Sequence, residues 1–221
     1  MAAAPVWPRP WRVAIGLSLG FAAALAMAAV WGAGFIELLL PVIGKLIVWL
    51  DERFAILVLS IDHTSQDTVV RLRVTLTQIV VVGGIPTRPD PKGWLEVTTT
   101  TGAMLQPLAI ACGLAVGWPG ALRMRAARLG IASLAALAFL FVDLPITLHA
   151  YIWDMFVDNY EPGRFSPILI WHKAMHDGGR LGAGVLLGAF AIAVAGHAKH
   201  RISDMPDDCT QTPAVRASAP E

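Results

Sequence analysis

The feature that most limits what this chain can become is the blocking of its apolar residues into long uncharged runs. Residues 13–36 are 24 positions without a charge, and residues 97–122 are 26 more. Residues 129–142 are uncharged, and after Asp143 the run resumes over 144–153. The last block is 181–198, in which His197 is the single ionisable group. A helix that crosses a bilayer needs about 20 mostly apolar residues. The blocks therefore predict four transmembrane helices, near 13–36, 101–121, 127–149 and 180–198. Composition agrees: 15% of residues are charged and mean hydropathy is +0.60, where a soluble domain carries roughly a quarter charged residues. A disordered chain, a coiled coil and an ordinary soluble enzyme are excluded. The net charge of +1 gives no support for nucleic acid as a partner. Cys112 and Cys209 lie far apart in unlike surroundings, so neither a disulfide framework nor a CxxC zinc site is expected.

Basic flanks set the expected orientation. Arg9 and Arg12 precede the first helix, Arg123, Arg125 and Arg128 follow the second, and Lys199 and Arg201 follow the fourth. With both termini in the cytoplasm of a bacterial inner-membrane protein, all three clusters fall on one side, as the positive-inside rule asks. Trp7, Trp11 and Trp118 then fall at the inner interface, and Trp31, Trp94, Trp153 and Trp171 at or near the outer one. Ala26-Met27-Ala28 imitates a signal-peptide cleavage site. The apolar run continues past it, so an uncleaved anchor is expected, although cleavage of residues 1–28 stays open.

Between the helices the pattern changes. Residues 70–74, Val-Arg-Leu-Arg-Val, alternate strictly, which places Arg71 and Arg73 on one face of a strand and the aliphatics on the other. Residues 54–61, 78–82 and 94–100 are further strand candidates. Strands this few bury little core alone, so their apolar face needs a partner: the membrane surface, the rest of the chain, or another protein. The expected fold class is a membrane all-α core with four transmembrane helices plus a small outward-facing β-rich segment. Its division is a cytoplasmic arm over 1–12 and a first helix with a kinked interfacial extension over 13–50, with Pro41 at the kink. A periplasmic β-rich segment follows over 51–100. Helices two to four fill 101–198, with a cytoplasmic basic turn at 122–128 and a periplasmic loop at 150–179, in which residues 167–175 form a short interfacial helix. A disordered cytoplasmic tail covers 199–221.

Few motifs carry chemistry. Gly16/Gly20, Gly113/Gly117 and Gly184/Gly188 are glycine pairs four apart, which let helix backbones approach closely for internal packing or dimerisation. Asp143 is the one carboxylate inside a span. It lies near the outer end, two residues before Pro145, and either performs a function or, as the simpler reading, reaches the outer interface or pairs with Arg180 at the head of the last helix. His172 and His176 share one helix face and form a candidate metal or acid–base pair, with His149, Asp154, Asp158 and Asp177 as further candidates and His63 on the same side. No HExxH motif accompanies them, so ordinary interfacial histidines are the simpler reading. Cys112 sits in an apolar setting without a base in reach, which argues against a nucleophile. No cofactor is expected.

The layout resembles that of small exosortase-associated integral membrane proteins of unknown function. The resemblance rests on the single anchor running into Leu38-Leu39-Leu40-Pro41, the short outward β segment, and the block from Leu105-Gln106-Pro107-Leu108 to Arg128, where a second helix ends in a basic turn. It covers about two-thirds of the chain. It implies an accessory role and no characterised activity, because the exosortase set of cysteine, arginine and histidine at outer helix ends is not matched. The expected function is accordingly a non-enzymatic inner-membrane accessory protein that docks a membrane or periplasmic partner, or a second copy, in an envelope protein-sorting or export system. The alternatives are a membrane-embedded enzyme with a His172/His176/Asp177 site, and a small transporter subunit using Asp143.

Overall fold

The computed structural model describes residues 10–64, 67–90 and 92–203, without the side chains of 198–203. It is mostly helical with a small sheet. Helix α1 is Pro10–Leu50, and its 41 residues extend about 60 Å at 1.5 Å per residue, twice a hydrocarbon core of about 30 Å. It passes through Ala26-Met27-Ala28 and through Pro41, whose missing N–H leaves the carbonyl of Glu37 without its helical donor. Strands β1 (Phe54–His63) and β2 (Thr68–Leu76) form a hairpin, a small second hairpin pairs β3 (Val80–Val82) with β4 (Ile85–Thr87), and β5 (Leu95–Thr100) returns to the first sheet. Then follow α2 (Thr101–Gly117), α3 (Leu122–Tyr160), a short α4 (Pro167–Ala174), a kink over Met175–Gly179, and α5 (Arg180–Ser203). Among the described residues, three segments, Pro10–Leu50, Leu122–Tyr160 and Pro167–His197, are long and apolar enough to cross a membrane, and we read the chain as membrane-embedded. The expected four helices are thus met in part. The second, α2, has 17 residues, about 25 Å of helix.

The larger sheet is antiparallel in the order β1-β2-β5, with Leu72 opposite Leu59 on one side and Val97 on the other. The alternation in β2 does what period two requires. Val70, Leu72 and Val74 are buried, while Arg71 and Arg73 face the other way into ion pairs with Asp62 and Glu96. The buried face does not wait for an outside partner. It packs on Ile36, Ile43 and Ile47 of α1 and on Leu144, Leu148 and Ile152 of α3, in one continuous core. Thr100 caps the N-terminus of α2 by accepting from the Ala103 N–H, and Thr101 Oγ1 donates to the carbonyl of Thr68, so strand, cap and helix are one joint.

The six glycines expected to pack helices do so inside the chain. A Cβ added at Gly16 would strike the carbonyl oxygen of Gly117, and one at Gly20 that of Gly113, so α1 and α2 run antiparallel with backbones touching. Gly184 and Gly188 receive Ile110 and Leu114 of α2 on α5 in the same way.

Several expected boundaries move. The segment 150–160, assigned to a loop, continues α3, because Ile152, Phe156 and Val157 bury against the sheet and α4 while Asp158 and Asn159 stay exposed. The turn between α2 and α3 is 118–121 and holds no basic residue, because Arg123, Arg125 and Arg128 lie in the first turns of α3. Arg128 Nη1 donates to the carbonyls of Trp118 and Pro119, which a helix C-terminus leaves open. Helix α5 runs to Ser203, past the expected start of the tail at 199. Residues 1–9, Trp7 and Arg9 among them, and residues 204–221 lie outside the described residues.

Candidate functional site

Helix α3 carries polar groups on two faces, and the candidate residues divide between them. Asp143, Thr147 and Tyr151 are spaced by four and share the face towards α4 and α5. Asp143 is 3% and Arg180 5% exposed, so the pair stands or falls on its hydrogen bonds. Arg180 Nε donates to Asp143 Oδ2 at 2.8 Å, and its Nη2 donates to Thr147 Oγ1 at 2.9 Å. Trp171 Nε1 donates to Asp143 Oδ1 at 3.0 Å, and the Thr147 hydroxyl donates to the same oxygen at 3.3 Å. The carboxylate thus accepts three bonds from three different elements. The arrangement is a lock: α4 and the head of α5 are held on α3 through one acid. Gly178, at φ 112°, gives the turn that brings Arg180 back into line, a conformation that side chains with a Cβ resist.

One turn beyond, His172 lies edge-on to Tyr151, with ring centroids 4.3 Å apart, and His176 lies 6.0 Å from His172. Nδ1 of His172 is buried without a hydrogen-bond partner among the described residues. His176 and Asp177 are exposed.

The second cluster was not foreseen as a unit. Asp51 follows the last residue of α1, and His149 points to it from another face of α3. Both are buried, with His149 Nε2 3.6 Å from Asp51 Oδ2. Arg53 donates to Asp51 through its backbone N–H at 3.1 Å, its Nε at 2.7 Å and its Nη2 at 2.6 Å. Its guanidinium also lies over the Trp153 ring. Burial pushes the Asp51 carboxyl upward, but the hydrogen bonds and charge of Arg53, with a smaller contribution from His149, bring it below its ordinary value. Arg53 is raised in turn, first by its side-chain bond to Asp51. His149 is edge-on to Phe54, and its Nδ1 has no partner among the described residues. The short spacing Asp51-x-Arg53 after an apolar run was the available signal, but nothing in the sequence joins it to a histidine 98 positions later.

The metal candidates are therefore not assembled. His149 faces Asp51, His172 faces Tyr151, and among the described residues no three His, Cys, Asp or Glu side chains are grouped to hold an ion. His63 sits at the tip of the β1–β2 hairpin, bonded to Thr68 Oγ1. Asp154 is half-buried and Asp158 exposed. Cys112 is half-buried, with Ser133 Oγ 3.5 Å from its sulfur.

A cleft of about 320 Å³ opens at the far end of α3, between Met155, Phe156, Asn159 and Tyr160 of that helix, the end of the sheet, and residues 87, 88, 90, 93 and 94. The β3–β4 hairpin forms part of its wall. Gly83 and Gly84 turn it at φ 58° and 78°, the doubly positive pair of a tight hairpin turn. The Gly83 N–H donates to Glu161 Oε2 at 3.2 Å, which fastens the hairpin to the end of α3. No family model, curated protein or solved structure matches the chain.

Proposed function

We propose that this protein is a non-enzymatic accessory subunit of the bacterial inner membrane, with its arginine-rich end in the cytoplasm and its sheet outward, which docks a partner protein in an envelope sorting or export system. The layout resemblance to exosortase-associated proteins points the same way. The docking surface is not the Val70/Leu72 face, which α1 and α3 cover. One observation supports another place: Ile79, Val81, Ile85 and Trp94 are 57%, 59%, 50% and 59% exposed around the second hairpin. This hairpin is fastened to the end of α3, 17 residues beyond Asp143, about 25 Å further along the helix. With Asp143 read as lying near the outer end of its span, apolar groups this far along α3 fall outside the hydrocarbon, where a protein interface rather than lipid accounts for them. With a photo-crosslinking residue at Val81 or Ile85, the same envelope protein is expected to be captured from both, and not from the buried Val70. Absence of an adduct from either position, or adducts with this chain alone, would remove the accessory reading.

The enzyme reading retains one supporting observation, the buried and unpartnered Nδ1 of His172 beside Tyr151 and His176. It requires that a His172→Ala, His176→Ala double variant lose function in vivo while its unfolding temperature stays that of the native protein.

A further inference from the structure

We propose that the cleft at the end of α3 is a binding site for a neutral carbohydrate ring. Its floor is apolar, made by Val74, Leu95 and the buried Phe156. Its rim carries two amphipathic rings, Trp94 and Tyr160, and the polar residues Thr75, Thr87, Arg88, Asp90 and Asn159, of which Thr75 spends its hydroxyl proton on the Gly93 carbonyl. A pyranose has the matching character, with C–H groups on its faces that lie on aromatic rings and hydroxyls at its edge that both donate and accept.

Three details favour this class over others. Arg88 and Asp90 cancel, so the lining offers no net charge to a phosphate or a carboxylate. Both kinds of hydrogen-bonding group are free to meet hydroxyls. Asn159 spends its Nδ2 on the Met155 carbonyl, which leaves Oδ1 as an acceptor, and Asp90 Oδ1 takes the Lys92 N–H, which leaves Oδ2. Arg88 has no ion-pair partner among the described residues, which leaves its guanidinium as a donor. Finally, the platform is preorganised. Arg73, bonded to Glu96, sits with its guanidinium 5.8 Å from the centroid of the Trp94 ring, which restrains the indole before any ligand arrives. The volume of about 320 Å³ lies at the small end of ligand sites, and suits one sugar unit of a longer chain.

The test uses the full chain in lipid nanodiscs, prepared without glycoside detergents, which carry sugars of their own. Trehalose, cellobiose, lactose and N,N′-diacetylchitobiose are titrated by calorimetry and by saturation-transfer NMR. At least one of them is expected to bind saturably. Trp94→Ala then weakens binding about tenfold or more, a change calorimetry resolves easily. Trp94→Phe, which keeps an aromatic plate, restores most of it. Asn159→Ala weakens it independently, and Leu57→Ser, on an exposed position of β1, leaves it unchanged. If none of the four sugars binds saturably, or if binding survives both Trp94→Ala and Asn159→Ala, the proposal is wrong. Binding of an unstructured peptide in place of every sugar has the same consequence. None of these readouts depends on a crosslinked partner at Val81, so this inference and the docking proposal fail separately.

Discussion

The two ends of the helical core are packed by opposite means. Towards the arginine-rich end the buried residues are Ala111, Ala115, Ala132, Ala136 and Ala191, with Gly16 and Gly20 laid against Gly117 and Gly113. Towards the sheet they are isoleucine, leucine, valine and phenylalanine. A single stripe on α3 shows the change. Ala132, Ala136, Leu140, Leu144, Leu148, Ile152 and Phe156 recur every four residues, all buried, and their size steps up after Ala136. On α1 the step comes between Gly32 and Ile36. On the membrane reading proposed above, solvent accounts for the difference. Lipid tails give apolar side chains no reason to leave them, so helices in lipid associate through close fit and backbone approach. Water drives large apolar groups together at roughly 25 cal/mol per Å². On that reading the size step marks the passage of the core from lipid to water, and Asp143, Thr147 and Arg180 sit close to the step.

The largest expected effect comes from that junction. Arg180→Met leaves Asp143 buried with its charge and without its main partner, which costs about 3–5 kcal/mol. The double variant Asp143→Leu, Arg180→Met removes both charges and is expected to recover most of the loss, measured by reversible unfolding in lipid. A double variant no more stable than the single one would mean that the site does more than join α3, α4 and α5.

Next in size is a contrast between the halves. Leu72→Ala empties a fully buried position in the sheet core and costs about 2–5 kcal/mol. Ala115→Gly, equally buried in the small-residue half, removes a single methyl and costs about 1 kcal/mol. Enlargement reverses the ranking. Gly117→Leu drives a side chain into the backbone of Gly16 and Leu17, with a penalty of about 1–3 kcal/mol or more. Enlarging Val97, which is buried against β2, to Ile adds one methylene and costs less. Equal tolerance of Gly117→Leu and Val97→Ile would contradict the two packing modes.

Much of this plan was legible in the residues, for local reasons. Charge-free runs announce helices of membrane length, strict alternation in 70–74 announces a half-buried strand, and glycine pairs four apart announce close helix contact. What escaped depends on long-range partners. The 150–160 segment looks like a loop because Asp154, Asp158 and Asn159 break its polarity, and its helical face has meaning only once the sheet covers Ile152 and Phe156. The Asp143–Arg180 pair was among the alternatives, since both residues flank spans on one side, but Trp171 as its third donor was not. The cleft unites Trp94 with Asn159 and Tyr160, residues brought together only by the fold.

The smallest predicted effect separates the two buried acids. Asp51 belongs to the sheet end, beyond the last residue of α1, and the side chain of its partner Arg53 is 42% exposed, so water shares the load and the pair is worth about 1 kcal/mol. Arg53 nonetheless holds the Asp51 carboxyl below its ordinary value, about 3.9 for an unfolded aspartate. An acid with a depressed folded pKa binds protons more readily when unfolded. Its contribution is therefore complete above the unfolded value and is lost as the pH falls through the folded one. Asp51→Asn should thus be less stable than the native chain at pH 7, and the gap should close below about pH 4. The comparison is made by unfolding both proteins in the same lipid across that range. A gap that widens on acidification would show that the carboxyl is raised instead, and that desolvation outweighs Arg53 at this site.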